Sequence, residues 1–131
     1  MKRGWIVAAL LALTACSSGS GGSDSAAAGD DEASLEAAYR AYIAAFLDGD
    51  AATAYGLMSQ RCQDKETLAD FAPIAKSAAE LYGQVDYTID DVTVNGDHGT
   101  VDATYAVDAL NSAGGSTWLY EDGEWHSDKC G

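Results

Sequence analysis

Between Glu32 and Asp48 the large apolar residues Leu35, Tyr39, Tyr42, Ile43 and Phe46 recur every three or four positions. That period places them on one face of a helix. Asp30, Asp31 and Glu32 bring negative charge to the positive end of this helix, and Gly49 follows its last turn as a left-handed cap. Asp50 is then positioned to N-cap a short second helix from Ala51 to about Met58, burying Tyr55, Leu57 and Met58, with Cys62 just beyond. A third helical segment is expected from Asp64 or Lys65, with Leu68 and Phe71 inward. Pro73 lacks an N–H and disfavours helix at Ala72, which predicts a break or kink before Ile74 to Tyr82 resume the pattern and Gly83 ends it.

From Gln84 the period changes to two. Val85, Tyr87 and Ile89 share one face and Asp86, Thr88 and Asp90 the other, as in a half-buried strand. The alternation slips at Asp91 and continues in the opposite phase at Val92 and Val94, which predicts a bulge of one residue that bends the strand. Asn95-Gly96 and Asp97-His98-Gly99 supply a turn into a partner strand with Val101, Ala103, Tyr105 and Val107. A Gly-rich connection, Asn111 to Gly115, leads to a strand over Thr117 to Tyr120, a tight Asp122-Gly123 turn and a last strand over Glu124 to Ser127. Helices followed by a four-stranded antiparallel sheet define an α+β domain.

The amino terminus follows other rules. Lys2 and Arg3 precede an apolar run from Trp5 to Leu13, about half the roughly 20 residues that a membrane-spanning helix needs. Leu13-Thr14-Ala15-Cys16 resembles the bacterial lipobox, in which a diacylglycerol is attached to the Cys thiol, cleavage falls just before it, and the new amino terminus can be acylated. The resemblance implies a signal peptide over 1–15, a lipidated Cys16 and a protein held at the extracytoplasmic face of the cell membrane. Residues 17–31 are Ser, Gly, Ala and Asp with no large apolar side chain, the composition of a flexible tether, so the domain is expected over 32–131.

Charge narrows the partners. The chain carries −14, or −16 once Lys2 and Arg3 leave with the signal, and no basic cluster follows Arg3. Such a surface repels phosphate backbones and anionic head groups, which argues against nucleic acid and leaves the lipid as the membrane contact. With Cys16 lipidated, Cys62 and Cys130 remain as an even pair in an exported chain, which favours a disulfide over two free thiols.

Residues 38–58, with Tyr39-Arg40-Ala41-Tyr42-Ile43-Ala44-Ala45-Phe46-Leu47-Asp48-Gly49-Asp50 at their centre, resemble the opening of nuclear-transport-factor-two-like domains of the ketosteroid-isomerase or cystatin-like superfamily. There a long helix ends in Gly-Asp, a short helix follows, and a bent sheet closes over both. The closing Trp125-His126-Ser127-Asp128-Lys129-Cys130 resembles the last strand of small actinobacterial lipoproteins of this group, where a Cys after the second helix pairs with a terminal Cys. The likeness implies a cone-like fold whose interior binds small ligands, catalyses, or is packed core.

Enzymatic relatives place an acid or a His in that interior. Asp86, Asp90, Asp102, Asp108 and His126 are the strand-borne candidates, but alternation sends the first three to the polar face, where a carboxylate has nothing to activate. His98 falls in a turn. No Ser lies in a strained nucleophile turn, no Gly-rich loop joins strand to helix, and Asp90-Asp91 and Glu121 to Glu124 match no calcium-loop spacing, so neither catalytic residue, metal nor cofactor is expected. The aromatics Tyr39, Tyr42, Tyr55, Tyr87, Tyr105 and Trp118 either fill the core, which is the favoured reading, or line a pocket; if a pocket exists, Tyr42, Phe46 and Tyr105 are the residues expected to line it. The leading expectation is a lipid-anchored, non-enzymatic domain, monomer or homodimer, that binds a small apolar ligand or an envelope protein. The alternatives are a structural module without a pocket and a lyase or isomerase of the ketosteroid-isomerase type.

Overall fold

A computed structural model of the chain describes residues 28–111 and 115–130, with side chains from Asp31 onward. The expected signal peptide and lipidation site Cys16, the part of the expected tether up to residue 27, and residues 112–114 of the Gly-rich connection lie outside the described residues. Helix α1 spans Ala28–Leu47, α2 Ala51–Gly56, α3 Gln60–Lys65 and α4 Leu68–Leu81. Strands β1 (Tyr87–Asn95), β2 (His98–Tyr105), β3 (Ser116–Glu121) and β4 (Glu124–Ser127) follow, each antiparallel to the next in the order β1-β2-β3-β4. This is an α+β fold with its helices first and a four-stranded antiparallel sheet after them.

Helix α1 is the spine. Leu35 and Tyr39 pack with Val101, Trp118 and Trp125 on the sheet, while Ala45, one to two turns further on, joins Ala54, Met58, Cys62, Phe71 and Ala75 of the other helices. Tyr42 touches both clusters. Asp50 caps α2 by accepting from Thr53 N at 3.2 Å, and Gly49 sits at φ 77° between the two helices, in the left-handed region where a side chain is strained.

Several boundaries differ from the sequence expectation. Helix α1 begins at Ala28, four residues before Glu32. Cys62 lies inside α3, a turn opened by Ser59, whose hydroxyl accepts from Cys62 N at 3.3 Å. The next helix therefore starts at a fresh cap, Thr67, rather than at Asp64 or Lys65, and Leu68 on its first turn is 40% exposed while Phe71 is buried. Pro73 does not break α4. It stands near the helix start, so it forfeits a single bond to the Ala69 carbonyl while the later turns hold.

In the sheet, Ile89 pairs with Ala103 and Asp91 with Asp102, so Asp90 is the extra residue of a bulge in β1. Val85 precedes β1 and Val107 follows β2, leading into a short 3-10 turn over Asp108–Leu110. The turn between β1 and β2 is Gly96-Asp97 with Gly96 at φ 66°, and the β3–β4 turn is Asp122-Gly123 with both residues at positive φ. Beyond β4, the α2–α3 link runs alongside as a parallel bridge: Ser59 N donates to Ser127 O and Ser127 N to Leu57 O, each at 2.8 Å. Cys62 and Cys130 form a disulfide that fastens the chain after β4 to α3.

Candidate functional site

Only the first half of β2 is paired on both sides. β3 runs beside His98 to Val101, and past that point β2 continues to Tyr105 without it. Asn111 takes the place of the missing strand there, its side-chain oxygen accepting from Tyr105 N at 2.7 Å and its amide donating to Tyr105 O at 2.9 Å. Between this splayed end and α1 lies a cavity of about 190 Å³. Helix α1 contributes Tyr39, Tyr42, Ile43, Phe46 and Leu47, and β2 contributes Val101, Ala103 and Tyr105. Leu110, Asn111 and Ser116 close one side, and Ser127 and Lys129 the other.

Tyr42, Phe46 and Tyr105, selected from the sequence, thus stand on one cavity. The rings of Tyr42 and Phe46 stack with centroids 6.1 Å apart, one helical turn from each other. Tyr39 and Ile43 belong to the same helical stripe, Leu47 lies one turn on from Ile43, Ser127 ends the inward phase of β4, and Lys129 follows two residues beyond that strand. Asn111 had no signal in the sequence, since its role depends on β3 failing to extend. The remaining aromatics are packing residues. Trp118 is 2% exposed and donates from Nε1 to Ser116 Oγ at 2.9 Å, Tyr87 stacks on Tyr105, and Tyr55 donates to Glu66 O at 2.8 Å within the helical cluster.

The phenols of the cavity are held neutral. Tyr39 and Tyr105 share a hydrogen bond between their hydroxyls. Burial raises the Tyr39 phenol, and burial together with its hydrogen bond to Tyr39 holds Tyr105 far above the ordinary phenol range. Burial pushes Tyr42 up to about 12, partly offset by a hydrogen bond from Ser127. No carboxylate and no imidazole is among the described residues that line the cavity.

The acidic candidates lie elsewhere. Asp86, Asp90, Asp102 and Asp108 are exposed, and Asp90 accepts from Thr104 Oγ1 at 2.6 Å on the outer face of the sheet. His98 opens β2 at the surface, 3.4 Å from Asp97. His126 is half-buried with its Nδ1 unpaired, on the face opposite the buried Trp125 and Ser127. No group of three metal-ligating side chains occurs among the described residues, and none of the described helices is long and apolar enough to cross a membrane.

This architecture is that of NTF-2-like proteins. The chain resembles a solved NTF-2-like protein of unknown function from Silicibacter pomeroyi, with a TM-score of 0.57 and 19% identity over 77% of this chain and 92% of that one. No protein-family model matches the sequence. No curated protein matches it. The likeness establishes the fold; the chemistry has to come from the cavity.

Proposed function

We propose that this chain is a lipid-anchored extracytoplasmic domain that binds a small, mainly apolar guest between α1 and the sheet, without catalysing a reaction. The observation that carries the reading is the cavity itself: about 190 Å³ of space walled by Ile43, Phe46, Leu110 and three phenols, with no carboxylate or imidazole among the described lining residues to act as a general base. An apolar cavity of about 150 Å³ is known to admit benzene, so a single ring or a short branched chain fits here. Drug-sized ligands occupy roughly 300 Å³ or more, so a polycyclic guest would extend out of this space. This supports binding over chemistry of the ketosteroid-isomerase type. Thr88, Thr93, Asp102, Thr104 and Thr117 are exposed on the outer sheet face, which offers little to a purely structural contact. The anchor rests on the Leu13 to Cys16 motif.

Native mass spectrometry of the protein from a secreting host, before and after unfolding, tests the reading. A small mass that is lost on unfolding, and absent from an Ala103→Phe variant whose ring fills the cavity, is the expected result. A bare protein that also fails to bind added toluene would sink it. Separately, Cys16→Ala should abolish lipid labelling; a labelled, processed product would remove the anchor and leave the cavity untouched.

A further inference from the structure

Cys62 and Cys130 share one disulfide but not one environment. Cys62 is 0% exposed and packs among Ala54, Met58, Phe71 and Ala75, whereas Cys130 is half-buried at the margin of that cluster. Cys130 also borders two surface grooves, one with Lys65 and Asp70 and the other with Arg61 and Thr117. Exchange begins when a thiolate attacks one of the two sulfurs, and access decides which. Of the two residues, only Cys130 meets solvent.

The sulfur that is not attacked has to depart with the electron pair of the broken bond, and one that bears negative charge poorly departs slowly. Cys62 Sγ lies 3.8 Å from Asp128 Oδ1. That carboxylate is kept ionised. Burial would raise it, but hydrogen bonds from Ser59 Oγ at 2.6 Å and Arg61 Nε at 3.1 Å hold it below the usual carboxylate range. Beside a carboxylate and inside an apolar cluster, negative charge on Cys62 is disfavoured twice over. Arg61 offsets part of the field of Asp128, so the two side chains act on this sulfur with opposite sign.

We infer that Cys130 is the site at which small thiols modify this protein, through a mixed disulfide, and that Asp128 holds the reaction back by opposing the departure of Cys62 as a thiolate. In the first step the lone pair of the attacking thiolate makes a new S–S bond to Cys130 Sγ. The Cys62–Cys130 bond breaks, and its electron pair stays on Cys62 Sγ, which takes a proton from water. A second thiol then displaces the first from Cys130, leaving two cysteine thiols and one oxidised thiol pair. What Asp128 protects is the covalent hold on the segment that brings Ser127 and Lys129 to the cavity wall. The inference stands or falls separately from the identity of the cavity's guest.

The test uses the full chain carrying Cys16→Ala, so that no third thiol takes part. It is treated with 2-mercaptoethanol under native conditions, quenched in acid and mapped by peptide. The added thiol should be found on Cys130 with Cys62 free, and its recovery on Cys62 overturns the site. Followed in time, reduction should run roughly three- to tenfold faster in Asp128→Asn. That variant also loosens the segment, so Arg61→Gln decides the cause. It loosens the same segment but leaves the carboxylate unopposed, and reduction should slow by roughly twofold or more. If both variants react faster, loosening governs; if Asp128→Asn matches the unsubstituted rate, the carboxylate has no part. Either result overturns the role of Asp128.

Discussion

Gly99 is where sheet and spine come closest. A Cβ built there would collide with Leu35 Cδ2 and lie 3.2 Å from Trp125 Cζ3, both buried, so Gly99→Ala should cost about 1–3 kcal/mol of stability through forced displacement of α1. Urea unfolding measures this directly, and an unchanged midpoint would show that the helix yields freely. Tyr42 answers to pH instead. Its phenol titrates near 12 in the folded chain against an ordinary value of 10.0, so between those values the unfolded chain has released a proton that the folded chain still holds. Stability is therefore fully present below pH 10 and falls as pH rises towards 12, by about 1.4 kcal/mol per unit for this group. Tyr39 and Tyr105 are shifted in the same direction and add to the decline. Tyr42→Phe should flatten the fall, as read from midpoints at pH 10 and 11; an identical slope would place the titrating group elsewhere.

At the scale of elements, the chain from the end of β4 onward is held at three points. Ser127 bridges to Leu57 and Ser59, Asp128 is bound by Ser59 and Arg61, and Cys130 is bonded to Cys62, 68 residues away. The covalent point restricts the unfolded chain, and on the chain-entropy model replacing both cysteines by Ala removes about 4 kcal/mol. Because that approaches the whole stability of a small domain, the double variant should unfold at far lower urea, and a loss under about 1 kcal/mol would show that the other two points suffice. These elements also mark what could be read from sequence. The stripe of α1, the cap at Asp50 and the phase slip around Asp90 are local patterns, and local patterns are written in one stretch of chain. The α3 turn was hidden because Gln60 to Lys65 is polar apart from Cys62, leaving no periodicity to detect. Pro73 misled because its cost depends on its distance from a helix start fixed by Thr67. Three cavity residues could be named from helix and strand phase. The cavity itself exists because β3 stops short along β2, a tertiary event with no local signature.

For the whole molecule the dominant quantity is charge: 21 acids against 7 Lys and Arg. Arg40 with Glu36, Arg61 with Asp128 and Lys76 with Glu80 form ion pairs among the described residues, at surface positions where each contributes little. Far more carboxylates than cations remain, and their mutual repulsion is relieved when the chain expands, so it opposes the compact state. Raising ionic strength from about 0.01 to 0.15 M shortens the screening length from roughly 30 to 8 Å. The folded state should gain on the order of 1 kcal/mol, or roughly 4–8 °C in Tm for a domain of this size. A falling Tm would mean that local ion pairs outweigh the net field.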